Sequence, residues 1–326
     1  MNYSKIMFMT MVISSSILTI NSTNWLSMWM GLEMNLMAFI PILSKFNNKK
    51  KSQSMMIYFL VQSIGSILLL FPILMNPLMS VSPTLIKESF ILMMMMSLLL
   101  KLGAAPLHNW MPEMFNSMNW KEMFLLMTWQ KLAPLYMLSN ISPKMLPMFI
   151  YLSAMIGAIG GLNTTSLRKI MAYSSINHMS WMMMMMMMQA QWYKYLFLYS
   201  MLMIMACMFF HKYNFFMINQ APQKMTSMME KYTYTMLMLS IGGLPPFMGF
   251  LPKWITIQSA INSDMMMMMM ILIMMSMITL FYYMRIISPL LLSFSTTNKY
   301  KMGKNKLMLM MMMNLMAPLM LIISFI

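Results

Sequence analysis

A succession of apolar stretches, each about as long as a bilayer is thick, constrains this chain more than any other feature. A membrane-spanning helix needs about 20 consecutive apolar residues. Sixty per cent of the 326 residues are hydrophobic, only 9% are charged, and the mean hydropathy is +0.67. These values exclude an ordinary soluble domain. They predict an all-α polytopic membrane protein, because a helix satisfies its own backbone hydrogen bonds in lipid.

Eleven stretches of the sequence are candidate transmembrane helices. They cover residues 5–20, 24–43, 54–75, 87–105, 121–138, 146–163, 169–188, 192–210, 233–260, 266–290 and 306–325. The longest polar connection runs from about Lys212 to Lys231, so we expect one transmembrane domain over 1–326 and no separate soluble domain. The first stretch lacks a small-residue cleavage site and is therefore interpreted as a span rather than a signal peptide.

Glycine and proline interrupt the fourth and the ninth of these stretches. The interruptions read LKLGAAP and GGLPPFMGFLPK. Paired interruptions in corresponding helices are typical of transporters built from inverted repeats, in which the ion site lies at the breaks. The two stretches are five apart, and an odd offset gives them opposite orientations. We therefore expect antiporter-like inverted repeats over 1–138 and 146–290, two broken helices, and a C-terminal helix over 306–326.

Basic residues in the predicted loops fall mostly on one face. Threading the eleven stretches alternately leaves only Lys87, Lys144 and Lys194 on the poorer face. The richer face receives Lys5, Lys45, Lys49, Lys50, Lys51, Lys121, Arg168, Lys169, Lys212, Lys224, Lys231, Lys299, Lys301, Lys304 and Lys306. The positive-inside bias makes that face the matrix, with the N-terminus in the matrix and the C-terminus in the intermembrane space. The same loops explain the net charge of +16, so no nucleic-acid partner is predicted.

Four charged residues lie inside otherwise apolar stretches: Glu33, Lys101, Lys131 and Lys253. A charge at bilayer depth costs at least about 2.5–3.5 kcal/mol on insertion scales, and such residues usually line an ion or proton path. One carboxylate and three amines therefore indicate a subunit that handles protons.

Structural interpretations of these charges remain open. Lys101 and Lys253 adjoin the interruptions and could anchor helix ends by extending toward the interface. Glu33 has about 15 Å of helix on each side and cannot do so, so a structural role would need a buried partner.

Lys131 lies among Thr128, Gln130 and Pro134, which indicates a polar, hydrated groove. His178 lies nine residues into its stretch, as Glu33 does in the corresponding stretch of the first repeat. A hydrogen-bonded structural histidine is at least as well supported at His178 as a proton carrier.

His108 and Glu113 are interpreted as structural residues near a membrane rim. The 63 methionines are interpreted as apolar filling of helices, and the single cysteine, Cys207, as an inert buried thiol.

Five motifs carry a resemblance to a known family. They cover Trp29–Leu43 (WMGLEMNLMAFIPIL), Leu98–Met114 (LLLKLGAAPLHNWMPEM), Met127–Leu135 (MTWQKLAPL), Gly157–Trp181 (GAIGGLNTTSLRKIMAYSSINHMSW) and Gly242–Trp254 (GGLPPFMGFLPKW). The chain resembles the antiporter-like membrane subunits of respiratory complex I, the mitochondrial NADH–ubiquinone oxidoreductase, in the form found in insects and other invertebrates. The resemblance runs from about Asn21 to Arg285. HNW at 108–110 and HMSW at 178–181 depart from the expected pattern.

The resemblance implies a proton path in the mitochondrial inner membrane. Glu33 and Lys101 would be the carboxylate and lysine of a half-channel, Lys131 the central relay lysine and Lys253 the terminal lysine. The partners would be other membrane-arm subunits and lipids. The chain would be part of NADH:ubiquinone reductase without redox chemistry of its own, because it has no CxxC cluster, dinucleotide fingerprint or haem-spaced histidine pair. NAD, FMN, iron–sulfur clusters and ubiquinone would bind elsewhere in the complex.

Two alternatives from other classes remain. A stand-alone cation/proton antiporter would share the broken helices and buried lysines. A structural membrane scaffold would tolerate lysines at helix ends but gives no reason for Glu33.

Overall fold

The computed structural model describes most of the chain. The described residues are 3–44, 49–75, 84–141, 145–225, 227–261, 263, 265–292 and 305–315. Five of the predicted loop lysines, Lys45, Lys144, Lys299, Lys301 and Lys304, lie outside these ranges, as does the part of the last predicted span beyond residue 315.

Within these ranges the secondary structure is helical, apart from one isolated bridge between Ser166 and Met217. The helices are α1 Tyr3–Asn21, α2 Trp25–Leu43, α3 Lys49–Leu74, α4 Thr84–Leu102, α5 Trp110–Phe115, α6 Trp120–Met127, α7 Trp129–Ser139, α8 Leu146–Leu162, α9 Leu167–Met187, α10 Trp192–Tyr213, α11 Gln220–Lys224, α12 Met228–Gly242, α13 Phe250–Ile261, α14 Met266–Leu292 and α15 Asn305–Leu315. The prediction of an all-helical chain is confirmed for the part of the chain that the structure describes.

Five described helices are long and apolar enough to cross a membrane by length and composition: α1, α2, α3, α10 and α14. Their outward faces carry large apolar side chains. On α14, for example, Met267 is 81% exposed and Phe281 is 66% exposed. Such apolar surface on a long helix is typical of contact with lipid or with another membrane protein.

The chain divides into two compact units, Met1–Phe149 and Ile150–Ile326. In the first unit, α1 packs along α2, and α3 packs between α2 and α4. In the second unit, α12 packs against α14 and α15, while α10 packs against α9 and α13.

Each unit contains one helix that stops at a glycine and is followed, seven residues later, by a second helix. In the first unit α4 ends at Leu102 and α5 begins at Trp110. In the second unit α12 ends at Gly242 and α13 begins at Phe250. Gly103 and Gly243 have φ angles of +69° and +81°, which a residue with a side chain rarely adopts.

The same hydrogen bonds end both helices. Ala104 N–H donates to the Leu99 carbonyl and Gly103 N–H to the Leu100 carbonyl. In the second unit Leu244 and Gly243 donate to Leu239 and Ser240 in the same pattern. This is the Schellman motif, which satisfies the last carbonyls of a helix and requires the left-handed conformation at the glycine.

The stretch 121–138, predicted as one continuous helix, is divided at Thr128. The Thr128 hydroxyl donates to the Phe124 carbonyl at 2.8 Å, and Lys131 N–H bonds back only three residues, to the Thr128 carbonyl. Pro134 has no N–H, so it cannot donate to the Gln130 carbonyl one turn earlier. Together these residues end α6 and begin α7. The Gln130 carbonyl, next to Lys131, therefore receives no helical hydrogen bond from residue 134.

Candidate functional site

A polar cavity lies inside the first unit. Its volume is about 20 Å³, and about 10–15 Å³ suffices to hold one water molecule. The cavity is lined by Leu32, Asn35 and Leu36 of α2, Tyr58 and Gln62 of α3, Lys101 and Leu102 of α4, Trp110 and Met111 of α5, and Leu126, Gln130, Lys131 and Pro134 of α6 and α7. Two of the four charges singled out from the sequence therefore face one cavity.

Lys101 lies in the last turn of α4, directly before the non-helical segment 103–109. Its side chain is 6% exposed. The stem runs past Gly65 of α3, where a β-carbon would lie only 3.0 Å from the Lys101 Cγ atom. Gln62 donates to the Lys101 carbonyl at 3.1 Å and the Trp110 indole donates to the Leu100 carbonyl at 3.2 Å. Side chains from neighbouring helices thus satisfy carbonyls at the end of α4, and Lys101 contributes to the lining of the cavity.

Lys131 lies in the first turn of α7, also lines the cavity, and is 2% exposed. Gln130 beside it donates to the Asn35 amide oxygen at 2.9 Å and accepts from the Tyr58 hydroxyl at 3.4 Å. Polar side chains thus lie next to Lys131, and the hydration of the groove stays a prediction. Amide and hydroxyl groups on three helices can orient water there, because each both donates and accepts hydrogen bonds.

Glu33 of α2 is half-buried and does not line the cavity, although Leu32 and Asn35 on either side of it do. Glu33 and Lys101 form no direct ion pair, so the attraction between their opposite charges acts over a longer distance. Glu33 is therefore placed to stabilise the charged form of Lys101 from outside the cavity wall.

Lys253 lies in the first turn of α13, directly after the non-helical segment 243–249 of the second unit. Its ammonium donates to the Gly242 carbonyl at 2.7 Å and lies 5.8 Å from the centre of the Trp181 ring. A β-carbon on Gly243 would lie 2.7 Å from the Lys253 Nζ atom, so glycine there provides both the backbone conformation and the space. The carbonyl end of α12 and the indole face both favour a cation.

His178 of α9 is buried, and its Nδ1 atom lies 2.8 Å from the Tyr195 hydroxyl of α10. Its ring centre is 4.7 Å from that of Tyr199. Of the two residues interpreted as structural, His108 is half-buried with Nδ1 3.1 Å from the Pro106 carbonyl, and Glu113 is exposed.

Sequence reasoning missed one buried charge pair. The Lys51 ammonium, counted as a loop charge, lies 3.1 and 3.2 Å from the two carboxylate oxygens of Glu122. The motif Asn119-x-x-Glu122 is a capping-box pattern that could have placed Glu122 in the first turn of a helix. No local pattern indicates that Lys51 turns inward to meet it.

Residues 22–279 match the family model described as NADH:quinone oxidoreductase/Mrp antiporter, transmembrane. The chain belongs to this family. It is 41% identical over 259 residues to NADH-ubiquinone oxidoreductase chain 2 of Anopheles gambiae, covering 77% of this chain and 75% of that one. It is 38% identical over 268 residues to the protein of the same name from Locusta migratoria, covering 81% and 78% of the two chains.

Solved structures show the same antiporter-like fold. A chain of respiratory complex I from Thermus thermophilus matches with a TM-score of 0.80 and 16% identity, covering 95% of this chain and 75% of that chain. A chain of the Mrp complex from Dietzia matches with a TM-score of 0.69 and 13% identity, covering 86% and 59%. The resemblance stated from the five motifs is confirmed.

Proposed function

We propose that the chain is a core membrane-arm subunit of respiratory complex I and contributes a proton-translocation path to its NADH:ubiquinone reductase. The observation that carries this proposal is the shared cavity of Lys101 and Lys131, two buried amines among amide and hydroxyl groups. The similarity to chain 2 proteins supports the same assignment. The chain would lie in the mitochondrial inner membrane against other membrane-arm subunits and lipids, and its redox cofactors would bind on other subunits.

The proposed architecture has eleven transmembrane helices, in two repeats over 1–138 and 146–290 and a C-terminal helix over 306–326. Each repeat contains one broken helix. The matching Schellman motifs at Gly103 and Gly243, each followed by a helix that begins seven residues later, support the repeats. Placing the lysine-rich loops in the matrix puts the N-terminus there and the C-terminus in the intermembrane space.

In the first unit, the surroundings of the cavity govern how firmly the amines of Lys101 and Lys131 hold a proton. Burial penalises the charged ammonium form of an amine, and a nearby carboxylate favours it. A change in the field of Glu33 therefore changes how firmly Lys101 holds its proton. The released proton passes to Lys131 through the cavity, where a water molecule can bridge the two amines.

In the second unit, we propose Lys253 as the terminal proton carrier and His178 as a further group that exchanges a proton. Protonated Lys253 is held by the Gly242 carbonyl and by the Trp181 ring. Release of the proton weakens the hydrogen bond to the carbonyl, because a neutral amine is a poorer donor, and removes the cation–π attraction to the ring. His178 can exchange a proton with the Tyr195 hydroxyl along their 2.8 Å hydrogen bond.

The competing function is a stand-alone cation/proton antiporter. The fold of the Mrp complex chain keeps this alternative open, because related folds carry different functions. Native electrophoresis of mildly solubilised membranes, with in-gel staining for NADH dehydrogenase activity, separates the two. We expect the chain to migrate with the activity. Migration as a free subunit, away from the stained band, would overturn the complex I assignment.

A further inference from the structure

The Lys51–Glu122 ion pair joins the first turns of α3 and α6, two helices that also line the cavity. Both side chains are buried, with 8% of each exposed. The neighbouring Lys49 and Lys50 are exposed. The pair therefore lies between the solvent-facing lysines at this end of the bundle and the interior.

The cavity begins a short distance further along both helices. Tyr58 follows Lys51 by seven residues and Leu126 follows Glu122 by four, which are rises of about 10 and 6 Å along a helix. Both Tyr58 and Leu126 line the cavity. The pair thus lies one to two helical turns from the cavity, on the side of the lysine-rich loop.

The two partners are held differently. The Glu122 carboxylate accepts hydrogen bonds from the Asn119 backbone N–H and from the Asn119 side-chain amide, each at 3.1 Å, in addition to Lys51. Glu122 would therefore keep two donors if Lys51 left. Lys51 has a long flexible side chain with three rotatable donors, and its neighbours in sequence are solvated. The contact can open by movement of one lysine, without leaving a bare carboxylate.

We infer that the Lys51–Glu122 pair is a gate that closes the polar cavity toward the lysine-rich end of the bundle. Separation of the pair admits water to the cavity, through which Lys101 takes up the proton that it then passes to Lys131. This inference rests on the proposed function, because it supplies the access route for the same proton path.

A purely structural role is the competing explanation. A buried ion pair can fasten two helices, but replacing one with apolar groups is often neutral for stability. A fastener would affect the stability of the complex, whereas a gate would control access of water to the cavity. Access is therefore the quantity to measure.

Leu126, which lines the cavity and is 2% exposed, is the reporter position. The native chain has one cysteine, Cys207, which is buried in the second unit. The assembled complex carrying Leu126→Cys would be treated, in inside-out inner-membrane vesicles, with a charged membrane-impermeant methanethiosulfonate. The modification rate at residue 126 would be followed by peptide mass spectrometry.

We expect Glu122→Gln to raise that rate roughly tenfold or more, because loss of the attraction shifts the population toward the open pair. Gln at position 122 can still complete the capping box, so helix α6 should be retained. Lys50→Gln, which removes an exposed lysine next to the pair, is the matched control and should leave the rate unchanged. Lys51→Met is the second variant should Glu122→Gln fail to assemble, and the same increase is expected.

Equal modification rates in the parent and in Glu122→Gln or Lys51→Met would overturn the gate. A lower thermal stability of the complex with unchanged rates would assign the pair to fastening the helices. The labelling does not depend on pumping, so it can fail while the proton path stands. Conversely, an unchanged proton-to-electron ratio in Lys131→Met would reject the proton path without deciding the gate.

Discussion

At the scale of single residues, different neighbouring groups accommodate the buried amines of Lys101 and Lys253. Lys101 has a glycine beside its stem and a carboxylate acting through space, and Lys253 has a helix end and an indole ring. The sequence identified these positions because a charge in an apolar stretch is conspicuous. It could not identify Gln62 or Asn35, since single amides in apolar helices gain a role only through neighbours that the fold supplies.

The interaction between Glu33 and Lys101 predicts a non-additive pair of substitutions. Glu33→Gln keeps the shape and removes the charge, and Lys101→Ala removes the titrating group. Each should lower coupled NADH oxidation per assembled complex, and the double variant should lose less than the two losses combined. The expected coupling is about 0.5–3 kcal/mol, as for interacting residues in general. Strict additivity would show that the two groups act independently.

At the scale of elements, Gly and Pro in the sequence pointed to the places where α4 and α12 end, whereas no such signal marked the division at Thr128. Pro134 was visible, but the division lies six residues earlier, where the Thr128 hydroxyl competes for a backbone carbonyl. Such competition depends on the rotamer of one side chain, which hydropathy does not register. Hydropathy also does not predict the contacts among the polar side chains that line the cavity, because packing of α2, α3 and α7 brings these side chains together.

Gly243 offers the sharpest test of a broken segment. Gly243→Ala forces a side chain into the left-handed region, at a cost of about 1–2 kcal/mol, and brings its β-carbon to 2.7 Å from the Lys253 Nζ atom. We expect less assembled complex and lower proton pumping per complex. Gly242→Ala is the control, because its β-carbon would meet no atom closer than 3.6 Å. Quantitative native gels and vesicle acidification check both, and equal behaviour of the two variants would contradict the account of the break.

At the scale of the whole molecule, the sequence predicted the helical class, and the relatives confirm the family. Eleven spans and two repeats stay a prediction, because length and apolarity mark only five of the described helices as long enough. Short or divided helices such as α6, α7, α12 and α13 do not meet a length criterion, whatever their position in the membrane.

Protease accessibility tests the orientation. If the lysine-rich loops face the matrix, protease added outside sealed mitoplasts should spare the segments at 45–51 and 212–231. Both should become cleavable when the membrane is permeabilised with detergent, which is the control for intrinsic resistance. Cleavage at either segment with the membrane still sealed would overturn the proposed topology.

The proton-to-electron ratio of the Lys131→Met variant is the most direct measure of proton transfer through the cavity. Methionine keeps an apolar unbranched stem and removes the amine that faces the cavity, so the complex should assemble while its proton path is interrupted. Reconstituted vesicles oxidising NADH should then move fewer protons per electron than vesicles with the native complex or with Lys50→Gln. A ratio equal to that of the native complex, measured on fully assembled material, would contradict the claim that this cavity carries protons.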